Sequence, residues 1–108
     1  MIDHPELRRV LVIANDLVFR AKLEAIVRSA GADVLRDDAS DARPALAVVE
    51  LGRAGSEDRI RDLAARGVPV LAFGAHVQPE SLRAARALGA RAVPNSEVER
   101  TLRALLSG

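Results

Sequence analysis

The sequence contains no cysteine, tryptophan or tyrosine, and its only aromatic residues are Phe19 and Phe73. Without cysteine the chain can form no disulfide, no thiolate metal site and no thiol nucleophile. With so few aromatic side chains it also lacks the stacking platforms on which single-stranded nucleic acids bind. The core of the protein must therefore be aliphatic.

The chain also lacks an excess of either charge, because 16 basic and 15 acidic residues leave a net charge of +1. Nucleic-acid binding depends on concentrated positive charge, so we expect no nucleic-acid partner. No apolar run approaches the roughly 18 residues of a membrane span, and Asp3 and Glu6 stand where a signal peptide would carry basic residues. We expect no membrane partner and a cytoplasmic protein.

Two continuous apolar runs predict strands covered on both faces, as in a parallel sheet. They span residues 9–14 and 46–51, and shorter runs at 33–36, 68–73 and 91–93 predict three more strands. Glu50 stands near the carboxyl end of the second long run. Because ligands of open α/β sheets bind beyond the carboxyl ends of the strands, Glu50 is the first candidate functional residue.

Apolar residues at helical spacing follow the first and third predicted strands. Asn15 and Asp16 offer an N-cap to a helix that ends at Gly31. Ser56 is predicted to cap a second helix, which ends at Gly67.

Two further helices are predicted in the last third of the chain. Pro79 suits the first position of one of them, and Gly89 ends it. Ser96 and Glu99 predict a capping box for the last helix. The residues of that helix predicted to face inward are Val98, Leu102, Leu105 and Leu106.

The alternation of these strands and helices predicts an α/β fold, a doubly wound three-layer sandwich with a five-stranded parallel sheet. No linker or repeat interrupts the pattern, so residues 1–108 are expected to form one domain. Residues 37–44 are too few and too acidic for a full amphipathic helix. The second helix of such a fold is therefore expected to be short or absent.

Four stretches carry a family resemblance: residues 10–20, 46–51, 68–75 and 87–94. They resemble parts of a CheY-like response-regulator receiver domain. In order, these parts are the first strand with its acidic pair, the phosphoacceptor strand, the fourth strand with its switch hydroxyl, and the run into the fifth strand. The resemblance covers nearly the whole chain. It implies a flavodoxin-like sheet in the order 2-1-3-4-5 and a role in bacterial two-component, phosphorelay signal transduction.

The resemblance also implies where a receiver's phosphorylation chemistry would fall. The acidic pair that holds Mg²⁺ falls on Ala14 and Asn15, with Asp16 one residue further along, and the phosphoacceptor falls on Glu50. Mg²⁺ needs oxygen ligands in near-octahedral array, and two carboxylates are lost here. The extra methylene of Glu50 also displaces the nucleophile, and a displacement of about 1 Å can cost about 10²-fold in rate.

The remaining site positions of a receiver are changed as well. The switch hydroxyl falls on Gly74, the aromatic switch residue on Val93, and the lysine on Asn95 or Ser96. We therefore expect a degenerate receiver with no catalytic residues, no metal site and no cofactor.

Three functional hypotheses follow. The first is a stand-alone pseudo-receiver that acts by protein contact, in which Glu50 is either a mimic of the charged state or a half-solvated acid. The second is an atypical receiver that still accepts phosphoryl or Mg²⁺ through Glu50, Asn15 and Asp16. The third is a flavodoxin-like small-ligand binder with a pocket at Ala14, Asn15, Glu50 and Gly74.

Several polar residues have a structural alternative to a functional role. Asp16 can serve simply as an N-cap, and Ser96 as a capping residue. His76 falls in the loop that gates access to the site in receivers and could titrate near neutrality, but a solvent-facing histidine is the simpler interpretation.

A protein-binding face is predicted on the fourth-helix to fifth-helix side, which meets partners and dimer mates in receivers. Its residues are Arg83, Arg86, Arg91, Arg100 and Arg103. Guanidinium groups pair with carboxylates through two parallel hydrogen bonds, so this face suits an acidic partner protein or a second copy of the chain. The alternative is that Glu97 and Glu99 neutralise part of the positive charge of this face.

Overall fold

A computed structural model of the chain describes residues 9–35, 43–74 and 79–107. Strands alternate with helices along these residues. The strands are β1 (Arg9–Ile13), β2 (Asp33–Leu35), β3 (Leu46–Glu50), β4 (Val70–Gly74) and β5 (Arg91–Pro94). The helices of the described residues are α1 (Leu17–Ser29), α2 (Ser56–Ala65), α3 (Pro79–Ala87) and α4 (Asn95–Ser107).

The five strands form one sheet in the order β2-β1-β3-β4-β5, and all four neighbouring pairs are parallel. Val12 lies beside Val48 in the register of β1 and β3, and Glu50 lies beside Phe73 in that of β3 and β4. The predicted sheet and its strand order are confirmed. The predicted strand bounds agree with the observed ones to within two residues.

The alternation of side chains along the strands divides the core into two layers. On one face of the sheet, Val10, Val48 and Phe73 pack against α1 and α4, which contribute Leu23 and Leu102. These helices bury a stripe of aliphatic residues at helical spacing, as the sequence predicted.

The second layer lies on the opposite face of the sheet, where smaller side chains predominate. Ala47 and Ala72 are fully buried there against α2 and α3, together with Ile60, Leu63 and Ala85. The three inner strands β1, β3 and β4 are thus covered on both faces, which is the reason for their continuous apolar runs.

Two predicted helix caps are wrong. Helix α2 has Gly55 as its N-cap, in a left-handed conformation with φ +85° and no side-chain cap, so Ser56 is the first helical residue. Helix α4 begins at Asn95, directly after Pro94 of β5, which places Ser96 inside the first turn. No loop residue stands between strand and helix to form the predicted capping box with Glu99.

One predicted core residue is also wrong. Leu105 is 39% exposed, whereas Leu106 packs against the core. Only one of two adjacent residues in the last turn of α4 can continue the buried stripe, because each residue turns the helix by about 100°.

Some predictions fall outside the described residues. They are Arg36 of the second predicted strand, most of the segment in which a short second helix was expected, and His76. Among the helices of the described ranges, none is long and apolar enough to cross a membrane.

Candidate functional site

The candidate site lies where β1 and β3 end side by side. In a sheet of this order, the chain leaves these two neighbouring strands in opposite directions, which opens a crevice beyond their carboxyl ends. The β1–α1 turn brings Ala14, Asn15 and Asp16 to this crevice, and β3 brings Glu50. The structure therefore brings together the four residues onto which the resemblance places the phosphoacceptor and acidic positions.

The Glu50 carboxylate binds the backbone of the β1–α1 turn. Its Oε1 atom accepts hydrogen bonds from the amide of Asn15 at 2.7 Å and from the amide of Asp16 at 3.3 Å. Hydrogen bonds to an ionised carboxylate are stronger than those between neutral groups. Glu50 is half-buried, and its oxygen is used to join β3 to the start of α1.

The positions of the acidic pair present no carboxylate to the crevice. Ala14 is buried, and Asn15 is exposed. With its carboxamide oriented so that the oxygen faces Arg53, Asn15 accepts a hydrogen bond from the guanidinium group of Arg53. A positive guanidinium group thus lies at the position where a Mg²⁺ site would need negative ligands.

Asp16 is the N-cap of α1, as predicted. Its Oδ1 atom accepts hydrogen bonds from the amides of Val18 at 3.0 Å and Phe19 at 3.1 Å. These are two of the amide groups that the helix itself leaves without an acceptor. The Asp16 carboxylate is committed to the helix, and no three His, Cys, Asp or Glu side chains of the described ranges form a group that could hold a metal.

Replacing Asp16 with alanine is expected to lower the free energy of unfolding by about 1 kcal/mol, the usual cost of losing an N-cap side chain. Urea unfolding followed by circular dichroism measures the change. Asp62→Ala is the matched control, because Asp62 forms an exposed ion pair with Arg66 at 3.7 Å, and such a pair contributes about 0–1 kcal/mol. An equal or smaller loss for Asp16→Ala than for Asp62→Ala would contradict the capping role.

The switch and lysine positions lie at the ends of β4 and β5, on the same edge of the sheet. Gly74 is buried beside Pro94, and Val93 is part of the core. Asn95 is half-buried, and its Oδ1 atom is buried without a hydrogen-bond partner in the described part of the chain. Ser96 is exposed. None of these side chains supplies the hydroxyl, aromatic ring or ammonium group of a receiver at its position.

A cavity of about 230 Å³ opens beside Glu50, and its lining includes three residues that the sequence analysis missed. They are Arg53, Ser56 and Arg59, which come from the β3–α2 loop and the first turns of α2. The cavity includes Ala14, Asn15 and Glu50 of the predicted small-ligand pocket, but Gly74 is not among its lining residues. Arginines spaced by six residues across a loop and a helix give no recognisable sequence pattern.

The five arginines of the predicted partner face have different surroundings. Arg86 donates a hydrogen bond from Nη2 to the carbonyl of Ala92 at 2.7 Å and so fastens α3 to β5. The Nη2 atom of Arg100 lies 3.5 Å from the Oε1 atom of Glu97, and both residues belong to α4. Arg103 borders a hollow between α1 and α4, while Arg83 and Arg91 are exposed.

No family model matches the sequence, and no curated protein matches it. Solved structures do match. A CheY-like receiver domain from Methanospirillum hungatei is 13% identical with a TM-score of 0.76, over 94% of each chain. A response regulator receiver protein from Burkholderia phymatum is 24% identical with a TM-score of 0.70, over 93% of this chain and 95% of that one.

A third similar structure has a different description. It is a putative pilus assembly-related protein from Burkholderia pseudomallei, 17% identical with a TM-score of 0.70, over 99% of this chain and 92% of that one. Receiver domains recur among the similar structures, which confirms the resemblance at the level of the fold. The chain therefore has the CheY-like fold of response-regulator receiver domains.

Proposed function

We propose that this protein is a pseudo-receiver, a cytoplasmic signal-transduction protein that acts through protein contacts and accepts no phosphoryl group efficiently. The observation that carries the proposal is the position of the Glu50 carboxylate. Its oxygen is bound by the amides of Asn15 and Asp16, so a nucleophilic attack from this atom would first have to break both hydrogen bonds.

The charges around Glu50 support the same conclusion. Phosphoryl transfer depends on positive charge that neutralises the phosphoryl oxygens, which a receiver obtains from Mg²⁺ held by carboxylates. Here the Ala14 side chain has no oxygen to offer, and the Asn15 carboxamide lies against the guanidinium group of Arg53. A guanidinium at that position repels a divalent cation.

Contact with a partner is proposed through the side of the fold formed by α3, β5 and α4. The exposed Arg83 and Arg91 supply positive charge there, whereas Arg86 is held by Ala92 and contributes to the fold. An acidic protein surface would complement these guanidinium groups, and a second copy of the chain is the alternative occupant.

The proposal predicts that Mg²⁺ with beryllofluoride, which mimics a bound phosphoryl group, leaves the amide resonances of the protein unchanged. The measurement is a titration followed by ¹⁵N-edited NMR of the whole chain. Ala14→Asp combined with Asn15→Asp and Glu50→Asp is the matched comparison, because it places carboxylates at all three positions. Saturable shifts around Glu50 and Gly74 in the wild type would overturn the proposal in favour of an atypical receiver.

A further inference from the structure

The solvent-exposed face of α1 is mainly apolar. Seven residues of this helix are exposed, and four of them are the apolar residues Leu17, Val18, Ala21 and Ala25. Leu17 and Val18 are 71% and 65% exposed, and they are two of the three large hydrophobic residues exposed in the described part of the chain. By contrast, four of the five exposed residues of α2 are charged. Contiguous exposed apolar residues are typical of contact surfaces, so the outer face of α1 has the composition of one.

A hollow of about 480 Å³ lies beside this face, between α1 and α4. Lys22, Ala25 and Ser29 are among the residues that α1 contributes to its lining, and α4 contributes Glu99 and Arg103. Because Ala25 belongs both to the apolar face and to the hollow, the two are continuous. The exposed apolar residues of α1 and the lining of the hollow together are called the α1–α4 surface.

The charged groups of the α1–α4 surface have unused hydrogen-bonding capacity. Glu99 and Arg103 are four residues apart on α4, a spacing at which a carboxylate and a guanidinium can pair. Among the described residues neither side chain makes an ion pair, although another such pair forms on the same helix. The ammonium group of Lys22 lies 5.8 Å from the centroid of the Phe19 ring, a cation–π contact that leaves its N–H donors available. Groups of both signs therefore border one surface.

Charge of both signs in one patch suits the pairing of this surface with itself. In a two-fold dimer the same patch meets itself, so a group on α1 meets a group on α4 of the partner, and the reverse. The two helices run in the same direction, because each follows a strand of one parallel sheet and both cover the same face. A two-fold axis that lies between them and parallel to them places α1 of each protomer over α4 of the other. Lys22 then lies opposite Glu99 of the partner at a similar height, because both residues line the same hollow.

We propose that this protein forms a two-fold dimer through the α1–α4 surface. Two equivalent ion pairs form between Lys22 and Glu99. Val18, one turn before Lys22 on the same side of α1, and Ala25 lose their contact with water, which favours association. Arg103 lies opposite the second half of α1, which contributes only uncharged residues to the hollow. The side formed by α3, β5 and α4 stays open for the protein partner of the proposed function.

The test is analytical ultracentrifugation of the full chain at concentrations up to about 1 mM, at which we expect a monomer–dimer equilibrium. Lys22→Glu and Glu99→Lys each place like charges opposite each other at two points of the contact. Each variant alone should weaken dimerisation by about tenfold or more. An equimolar mixture of the two variants should dimerise as well as the wild type, because both pairs of facing positions then carry opposite charges again.

Ala25→Arg tests the apolar part of the surface and should also weaken dimerisation by about tenfold or more, because it buries a charge without a partner. Ala65→Arg is the matched control. Ala65 is an exposed alanine of α2, on the opposite face of the sheet, so its substitution should leave the dimer unchanged. Far-UV circular dichroism of each variant confirms that it is folded.

A protein that stays monomeric at about 1 mM would overturn the proposed dimer, and so would a dimer that Ala25→Arg does not weaken. A mixture of Lys22→Glu and Glu99→Lys that dimerises no better than either variant alone would also overturn it, because the losses would then not arise from facing charges. A dimer that Arg83→Glu disrupts and Ala25→Arg does not would place the contact on the side formed by α3, β5 and α4. Each of these results leaves the pseudo-receiver function standing, since the response to beryllofluoride tests that function separately.

Discussion

Phe73→Ala is expected to lower the free energy of unfolding by about 3–5 kcal/mol, the usual cost of removing a phenylalanine from a packed core. Phe73 is 1% exposed near the carboxyl end of β4, and the centroid of its ring lies 5.7 Å from that of Phe19 on α1. Phe19 is the only other aromatic residue of the protein, so no third ring is available to fill the space. A domain of this size is typically stable by about 5–15 kcal/mol, so the variant should be marginally folded.

Urea unfolding monitored by circular dichroism measures the effect. The matched control is Leu17→Ala, which also truncates a large apolar residue, but at a position that is 71% exposed. The control should change the free energy of unfolding by less than about 0.5 kcal/mol. Losses of similar size in the two variants would contradict the packing of β4 against α1.

Glu50→Ala is expected to lower the free energy of unfolding by about 2 kcal/mol. It should also let the β1–α1 turn open locally. The substitution removes the charged acceptor of the Asn15 and Asp16 amides, and a hydrogen bond to a charged group contributes about 1.5–3 kcal/mol. Because both amides are at the surface, water compensates part of the loss. If the turn opens locally, exchange of these two amides with solvent should accelerate by about 30-fold, the equivalent of 2 kcal/mol.

Hydrogen exchange followed by NMR checks this prediction residue by residue. Glu50→Gln is the conservative comparison, because its carboxamide oxygen can still accept both hydrogen bonds, and it should lose less than half as much stability. Glu57→Ala is the control for an exposed carboxylate at the end of a helix. Unchanged exchange of Asn15 and Asp16 in Glu50→Ala would contradict the assignment of Glu50 as the residue that holds the turn.

The strands could be predicted from the sequence because burial on both faces requires an unbroken run of apolar residues. A run such as residues 46–49 has no polar position, which distinguishes it from a strand with one solvent-exposed face. The N-cap at Asp16 was predictable for the same reason, since its partners Val18 and Phe19 are two and three residues away. The caps of α2 and α4 were not, because they depend on the positive φ of Gly55 and on the absence of a loop after β5.

The position of the site could be predicted, but its contacts could not. The sequence placed Glu50 and Asn15 at neighbouring strand ends, yet the hydrogen bond between them joins residues 35 positions apart. Only the resemblance to receivers suggested a relation between the two residues, and it suggested metal binding. The contact of Arg53 with Asn15 depends on where the five-residue loop between β3 and α2 directs a flexible side chain. Neither composition nor periodicity of the sequence indicates that direction.

The strand order has a consequence for how the chain folds. Every neighbouring pair in the sheet is parallel, so no two strands can pair through a tight hairpin, and each pairing must first close a long loop. β1 lies between β2 and β3, and one of its edges therefore stays unpaired until β3 has left the ribosome. Folding should consequently be slower than for a helical bundle of equal length, and nascent chains that stop before residue 50 should expose an apolar strand edge open to aggregation.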